Sequence, residues 1–331
     1  MKKIINDPNL VVQDMLKGLV SAYPNSFKQV PNTTVIVRKD APTTGKVGLV
    51  SGGGSGHEPA HAGYVGKGML DAAVCGEVFT SPTPDQVYEA IKAVDGGAGV
   101  FLIIKNYTGD VMNFEMAAEL AQADGIEVEQ VIVNDDVAVE DSSFTTGRRG
   151  IAGTIFVHKI AGAKAEAGGS LQEVKAIAEK VVANVRSMGM ALSPCTVPAA
   201  GKPSFELADN EMEVGMGIHG EPGTERKAIT TADEIATELT QKVLDDMNLH
   251  SGDEVAVMIN GLGSTPEMEL YIVNGKVNEI LKEKGIEIYN TFVGEYMTSL
   301  EMAGCSVTLL KLDDELKELL DAESQAPAFR N

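Results

Sequence analysis

Three short stretches of the sequence carry side chains that could do chemistry. The first is Ser51-Gly52-Gly53-Gly54-Ser55-Gly56-His57-Glu58-Pro59, with four glycines in five positions directly after the apolar run from Lys46 to Val50. Glycine tolerates positive φ and lets a ligand approach bare backbone, so successive N–H groups could form a donor nest for an oxygen-rich ligand at a strand tip. The plainer alternative is a tight strand-to-helix turn with no ligand. Neither familiar nucleotide loop fits: G-x-G-x-x-G from Gly52 needs a glycine where His57 stands, and no Lys-Ser or Lys-Thr follows for G-x-x-x-x-G-K-[ST]. His57-Glu58-Pro59-Ala60-His61 matches the zinc-hydrolase pattern H-E-x-x-H, but that chemistry needs a helix already under way at its first histidine. Here Gly and Ser precede His57 and Pro59 marks a helix only beginning, so no metal is expected.

The second stretch, Lys105-Asn106-Tyr107-Thr108-Gly109-Asp110, closes the apolar segment Gly99 to Ile104. A strand tip there would share a crevice with the glycine stretch. Taken alone, Asp110 reads as the N-cap of the following helix and Lys105 as a solvated or ion-paired lysine. The third is Gly215-Met216-Gly217-Ile218-His219-Gly220-Glu221-Pro222-Gly223, a small-residue strand that delivers one histidine into a second glycine-rich turn. Packing explains the glycines; His219 remains open between a structural role and that of a nucleophile, since imidazole is neutral and nucleophilic near pH 7. His158 and His250 fall on predicted helices and read as packing or surface residues.

The elements that must position these groups follow an α/β rhythm. A helix is expected over Leu10–Ala22 and a strand over Thr34–Arg38, then strands over Val47–Val50, Ala72–Cys75, Gly99–Ile104 and Val128–Val133, with helices over Thr83–Val94 and Met112–Ala123 between them. Continuous apolar runs such as Val100 to Ile104 read as strands covered on both faces, and their alternation with helices implies a largely parallel sheet. A polar segment from Val137 to Gly150, including Glu140-Asp141-Ser142-Ser143, leads to helices over Ile151–Ala167 and Leu171–Arg186. Short strands and turns follow, and then helix and strand alternate again: Ala232–Met247, Glu254–Ile259, Pro266–Lys284, Glu287–Phe292 and Ser306–Lys311. The expectation is two α/β domains, residues 1–187 and 188–331, each a mostly parallel or mixed sheet flanked by helices. The tail after Leu320 is polar and reads as loose.

The 331 residues suffice for two cores. A formal net charge of −21, no tryptophan and 5% aromatics argue against nucleic acid and anionic membrane surfaces as partners. Cys75, Cys195 and Cys305 are odd in number and far apart, which suits a reducing cytoplasm. No run approaches the roughly 18 apolar residues of a membrane span, and Asp7-Pro8 interrupts any secretory leader.

Together with Phe79-Thr80-Ser81-Pro82-Thr83-Pro84, Thr146-Gly147-Arg148-Arg149-Gly150 and Cys195-Thr196-Val197-Pro198, the three stretches make six motifs in order across nearly the whole chain. In this combination the sequence resembles the dihydroxyacetone kinase K subunit family. The resemblance implies a substrate-binding subunit of two α/β domains, usually a homodimer, which holds dihydroxyacetone as a hemiaminal on His219. It further implies that Gly54, His57, Lys105 and Asp110 contact the hydroxyls, with Asp110 as base toward the terminal hydroxyl and His57 orienting the diol. No cofactor is implied on this chain: ADP or ATP with magnesium belongs to a helical L domain or a separate L subunit, recharged through a phosphotransferase-system M subunit. The chain ends soon after its last predicted helix, leaving no room for an L domain, so the resemblance points to the multi-subunit, phosphoenolpyruvate-dependent form. A ligand-sensing paralogue acting as a transcriptional coactivator is the alternative.

Overall fold

The computed structural model describes residues 2–139 and 147–330. The expected polar segment at Glu140-Asp141-Ser142-Ser143, together with Thr145 and Thr146, lies outside the described residues. Two six-stranded sheets organise the rest. The first contains β1 (Phe27–Gln29), β2 (Val35–Arg38), β3 (Gly48–Ser55), β4 (Ala72–Val78), β5 (Val100–Lys105) and β6 (Val128–Val133), in the order β1-β2-β4-β3-β5-β6. Its β4-β3-β5-β6 core is parallel, while β1 and β2 join antiparallel at one edge. The second contains β7 (Val185–Ala191), β8 (Glu211–Val214), β9 (Glu225–Ala228), β10 (Glu254–Gly261), β11 (Glu287–Gly294) and β12 (Gly304–Leu312), in the order β11-β10-β12-β7-β8-β9. Only the β10–β11 pair is parallel there; β12 returns antiparallel along β10, and β7, β8 and β9 then alternate in direction.

Helices fill three layers. α2 (Pro84–Val94) and α3 (Thr108–Ala123) cover the outer face of the first sheet, packing Val87, Ile91 and Phe114 on Val50, Val74 and Leu102. α6 (Ala232–Asp245) and α7 (Glu267–Glu283) cover the outer face of the second, with Leu239, Val243, Leu270 and Val277 against Val257 and Val307. Between the sheets lie α4 (Thr154–Glu166) and α5 (Leu171–Asn184). Eleven of the thirteen α4 residues are buried, the consequence of an apolar helix with no face reserved for water. α1 (Val11–Ala22) adds Val12 and Leu16 to this central core.

Local signals set the ends. Pro84 opens α2, Ser170 with Glu173 and Thr231 with Glu234 form reciprocal caps on α5 and α6, and Gly125 takes the left-handed turn after α3. The tail departs from its expected looseness. α8 (Asp314–Asp321) and the hairpin of β13 (Gln325–Ala326) and β14 (Phe329–Arg330) pack back on the central layer, where Leu316, Leu320, Ala326 and Phe329 are buried with Tyr64 and Ile160. Alternate apolar residues among polar ones gave the tail its polar composition while leaving a face to bury. His250 stands in an exposed turn after α6 rather than on a helix.

Candidate active site

The glycine stretch is strand, not loop. β3 runs through Gly52-Gly53-Gly54 to Ser55, laddered in parallel with β4 to its end. Each glycine makes room for a neighbour. A Cβ on Gly52 would lie 2.4 Å from the Val74 carbonyl oxygen, and one on Gly54 2.6 Å from the Thr80 nitrogen. A Cβ on Gly53 would meet Lys105 Nζ at 2.8 Å and Asp110 Oδ2 at 3.5 Å. Gly53 therefore touches the Lys105–Asp110 pair, and Gly54 lies against the Phe79–Thr80 turn. Pairing with β5 stops at Ser51 and Ile103, so beyond them β3 stays with β4 and β5 with β6, and a crevice opens between the two strand ends.

Lys105, the last residue of β5, is fully buried with its ammonium 3.3 Å from Asp110 Oδ2. The N-cap of α3 is Tyr107, no side chain caps the helix, and Asp110 is its third residue, turned inward and 2% exposed. The capping role expected of Asp110 is thus absent, because the helix starts four residues earlier than the apolar spacing implied. Asp110 Oδ1, the Tyr107 hydroxyl and Arg149 Nη1 are buried without a hydrogen-bond partner among the described residues. Orphaned buried polar atoms are rare, and here they border one place.

After β3, the chain turns rather than entering a helix, and His57 and His61 part company. His57 faces His219, while His61 Nδ1 meets His158 Nε2 at 2.9 Å in a separate buried pair that burial keeps neutral, with His158 lowered to about 3. The described residues contain no group of three or more potential metal-binding side chains.

His219 sits in a glycine-rich turn beyond β8, as expected, but the strand leading to it ends already at Val214, and Gly215 at φ 76° and Gly220 at φ 77° take left-handed backbone on either side. Its Nδ1 lies 3.0 Å from Glu221 Oε1, and its backbone N–H donates to Glu221 Oε2 at 2.9 Å. Gly217 is the floor of this clasp, since a Cβ there would lie 2.0 Å from Glu221 Oε2 and 2.6 Å from Arg149 Nη1. Burial pushes the Glu221 carboxyl up, but the facing His219 ring and Arg149 outweigh it and hold it at about 2. Arg149 is in turn fixed by Asp136 at 2.7 Å and by the Gly215 carbonyl.

The other ring is fixed as firmly. His57, with no exposed surface, is 2.8 Å by Nδ1 from the Thr298 carbonyl oxygen, and its Nε2 is 3.1 Å from His219 Nε2. A carbonyl and a carboxylate can only accept, so both Nδ1 atoms carry hydrogen and both Nε2 atoms point their reactive side at one another. Burial, followed by the neighbouring His219 and Lys105, lowers His57 well below the usual imidazole range. Tyr107 stands edge-on to His219 at 4.5 Å, completing a walled site in which a carboxylate orients an imidazole whose far nitrogen is reactive.

Of the residues expected here, His57, His219, Lys105 and Asp110 are brought into one neighbourhood, with Tyr107 joining the two pairs: Lys105 Nζ lies 5.1 Å from its ring centre. Sequence reasoning passed over Glu221, Tyr107, Arg149 and Thr298 as working residues. Glu221 was findable, two residues from His219 in a glycine-rich turn. Thr298 contributes only its carbonyl, for which no side-chain signal exists.

Residues 17–328 match the Dak1 domain family model. The chain is 62% identical over 95% of its length to the dihydroxyacetone-binding subunit of PTS-dependent dihydroxyacetone kinase 1 from Listeria innocua, of which 95% is covered. It is 47% identical, over 99% of both chains, to the dihydroxyacetone-binding subunit of the PEP-dependent dihydroxyacetone kinase of Escherichia coli. Among solved structures, the dihydroxyacetone kinase of C. freundii superposes with a TM-score of 0.92 at 38% identity, over 99% of this chain and 60% of that one. A dihydroxyacetone kinase operon co-activator superposes with a TM-score of 0.90, also at 38% identity, over 95% of this chain and 97% of that one.

Proposed function

The chain belongs to the Dak1 domain family, and from that premise we propose that it is the dihydroxyacetone-binding subunit of a dihydroxyacetone kinase, a phosphotransferase that depends on the phosphotransferase system. In this reading His219 holds the ketone as a hemiaminal. The observation that carries it is the His219 ring clasped by Glu221 through Nδ1, with Nε2 turned toward His57 at 3.1 Å beside the buried Lys105–Asp110 pair.

The Nε2 lone pair of His219 forms the N–C bond, the carbonyl π pair moves to oxygen, and that oxygen takes a proton from solvent. The charge of that proton ends on the His219 ring, where Glu221 pairs it, so no oxidant or reductant is needed. Attack requires an electrophilic carbon, which rejects glycerol. Lys105 and the backbone at Gly53 and Gly54 then fix the hydroxyls, His57 orients the diol, and Asp110 accepts the proton of the terminal hydroxyl as it is phosphorylated. The nucleotide and its magnesium sit on a separate L subunit, recharged from phosphoenolpyruvate through the M subunit, and this chain works as a cytoplasmic homodimer. The second reading, a dihydroxyacetone-sensing coactivator, has the 38% identical co-activator in its favour but not the 62% identical kinase subunit.

Carbon-13-labelled dihydroxyacetone tests this. Its carbonyl resonance should vanish on the chain alone and a tetrahedral one appear, and His219→Ala should abolish the change. An adduct unaffected by that substitution would place the bond elsewhere. Turnover with purified L and M subunits separates kinase from sensor.

A further inference from the structure

Among the described residues, three non-glycine positions have left-handed backbone: Asn32, Phe79 and Leu300. Two of them flank the candidate active site, at φ 57° and 55°. Bulky residues avoid this region unless their surroundings hold them in it, and such strain gathers where a side chain must be aimed. Both are held by the end of β3. Phe79 donates its N–H to the Ser55 carbonyl at 2.9 Å, and Leu300 donates to the Gly56 carbonyl at 2.7 Å. Gly56 stands between them without a Cβ, which would lie 2.8 Å from Phe79 Cε1 and 3.2 Å from Leu300 Cδ2.

The strain aims the Phe79 ring at both catalytic candidates. It stacks on His57 with centroids 5.1 Å apart and planes 17° off parallel, and it meets the His219 ring edge-on at 5.2 Å and 87°. Behind it, Phe79 and Leu300 pack on the apolar cluster of Met216, Leu262 and Met302. A carbon bonded to His219 Nε2 requires the two imidazoles, 3.1 Å apart by Nε2, to separate, and it is then bounded on one side by the Phe79 ring that touches both. The hydroxyl-binding groups Lys105 and Asp110 come from the tip of β5 and the first turn of α3, whereas Phe79 offers no hydrogen bond.

We propose that Phe79, backed by Leu300 across Gly56, is the specificity-determining wall of the site, restricting the carbonyl compounds held on His219 to those with three carbons. An apolar wall selects by size: one extra carbon against such a surface changes the preference by about 10- to 200-fold. The proposal rests on the reading of His219 as the group that holds the ketone.

The test compares dihydroxyacetone with its four-carbon homologue, 1,3,4-trihydroxy-2-butanone, on the full chain and on Phe79→Ala, Phe79→Leu and Phe79→Trp. Affinity is measured by calorimetry and the adduct by carbon-13 NMR, neither of which needs another subunit. The preference for three carbons should fall about tenfold or more in Phe79→Ala and less in Phe79→Leu, and it should persist in Phe79→Trp. Should Phe79→Ala fail to fold, the leucine variant carries the comparison. Equal weakening of both ketones, or an unchanged ratio, would mean that Phe79 merely packs and would overturn the proposal. A wild-type chain that binds both ketones without a tetrahedral carbon would refute the covalent role of His219, yet the calorimetric ratio would still decide the role of Phe79.

Discussion

The chemistry of His219 is set by what its other nitrogen touches. A carboxylate held at about 2 remains charged at any physiological pH, so the Nδ1 hydrogen stays on the Glu221 side and Nε2 keeps its lone pair. Glu221→Gln retains the shape and an accepting oxygen but removes the charge that stabilises a positive ring. Turnover in the reconstituted kinase should fall by roughly 10²–10⁴, with the adduct resonance weakened in the same variant. The acid side gives a second measurement. The folded carboxyl lies below its ordinary value, so its stabilisation is complete above about pH 4.3 and is lost as pH falls toward 2. Denaturant titrations between pH 5 and pH 3 should therefore show a steeper loss for the parent than for Glu221→Gln.

Single elements explain why Lys105 and Asp110 face the same ligand. β5 ends at Lys105, two residues later Tyr107 is the N-cap of α3, and the first turn of that helix swings Asp110 back over the strand tip to within 3.3 Å of Nζ. β3 makes room for the pair with Gly53, where a Cβ would crowd Lys105 Nζ at 2.8 Å and touch Asp110 Oδ2 at 3.5 Å. Because Asp110 makes no cap, replacing it leaves the helix intact. Asp110→Asn should keep the circular-dichroism spectrum and dihydroxyacetone adduct of the parent while losing roughly 10²–10⁴ in kcat with the L subunit present. Wild-type turnover in that variant would remove Asp110 from the chemistry. The apolar run of β5 was legible because strands covered on both faces have little use for polar residues. β3 was misread past Val50 because its glycines, taken as loop, serve close approach between strands and side chains.

At the scale of the molecule, the site belongs to both sheets. His57, Lys105 and Asp110 come from the first; His219, Glu221 and the Thr298 carbonyl come from the second or its connections. The central helical layer that joins them is locked by the returning tail. Lys159 of α4, fully buried, donates to the carbonyls of Leu319 and Ala322 at 3.1 and 2.5 Å. Lys159→Met keeps much of the volume but leaves two carbonyls unanswered, at a cost of about 1–3 kcal/mol for a buried unsatisfied group. Chemical denaturation should show that loss, and hydrogen exchange should quicken first in residues 314–330; protection unchanged there would mean that the tail is held by its apolar face alone.

The sequence by itself determined which residues carry reactivity and the α/β alternation that presents them, since strand period, cap residues and glycine turns are local properties of the chain. Val128–Val133 was legible to the residue for this reason. Tertiary structure decided the rest. His57 and His219 are separated by 161 intervening positions, and nothing local says that their Nε2 atoms meet, that Thr298 lends only a backbone oxygen, or that Phe79 leaves ordinary backbone geometry while stacked on His57 and edge-on to His219. The same holds for the tail, whose polar composition concealed one apolar face, and for the second sheet, where β12 runs antiparallel although helices and strands alternate before it. Those outcomes depend on which surfaces remain to be buried once the first sheet and its helices have formed, and that is a property of the assembled layers rather than of any segment.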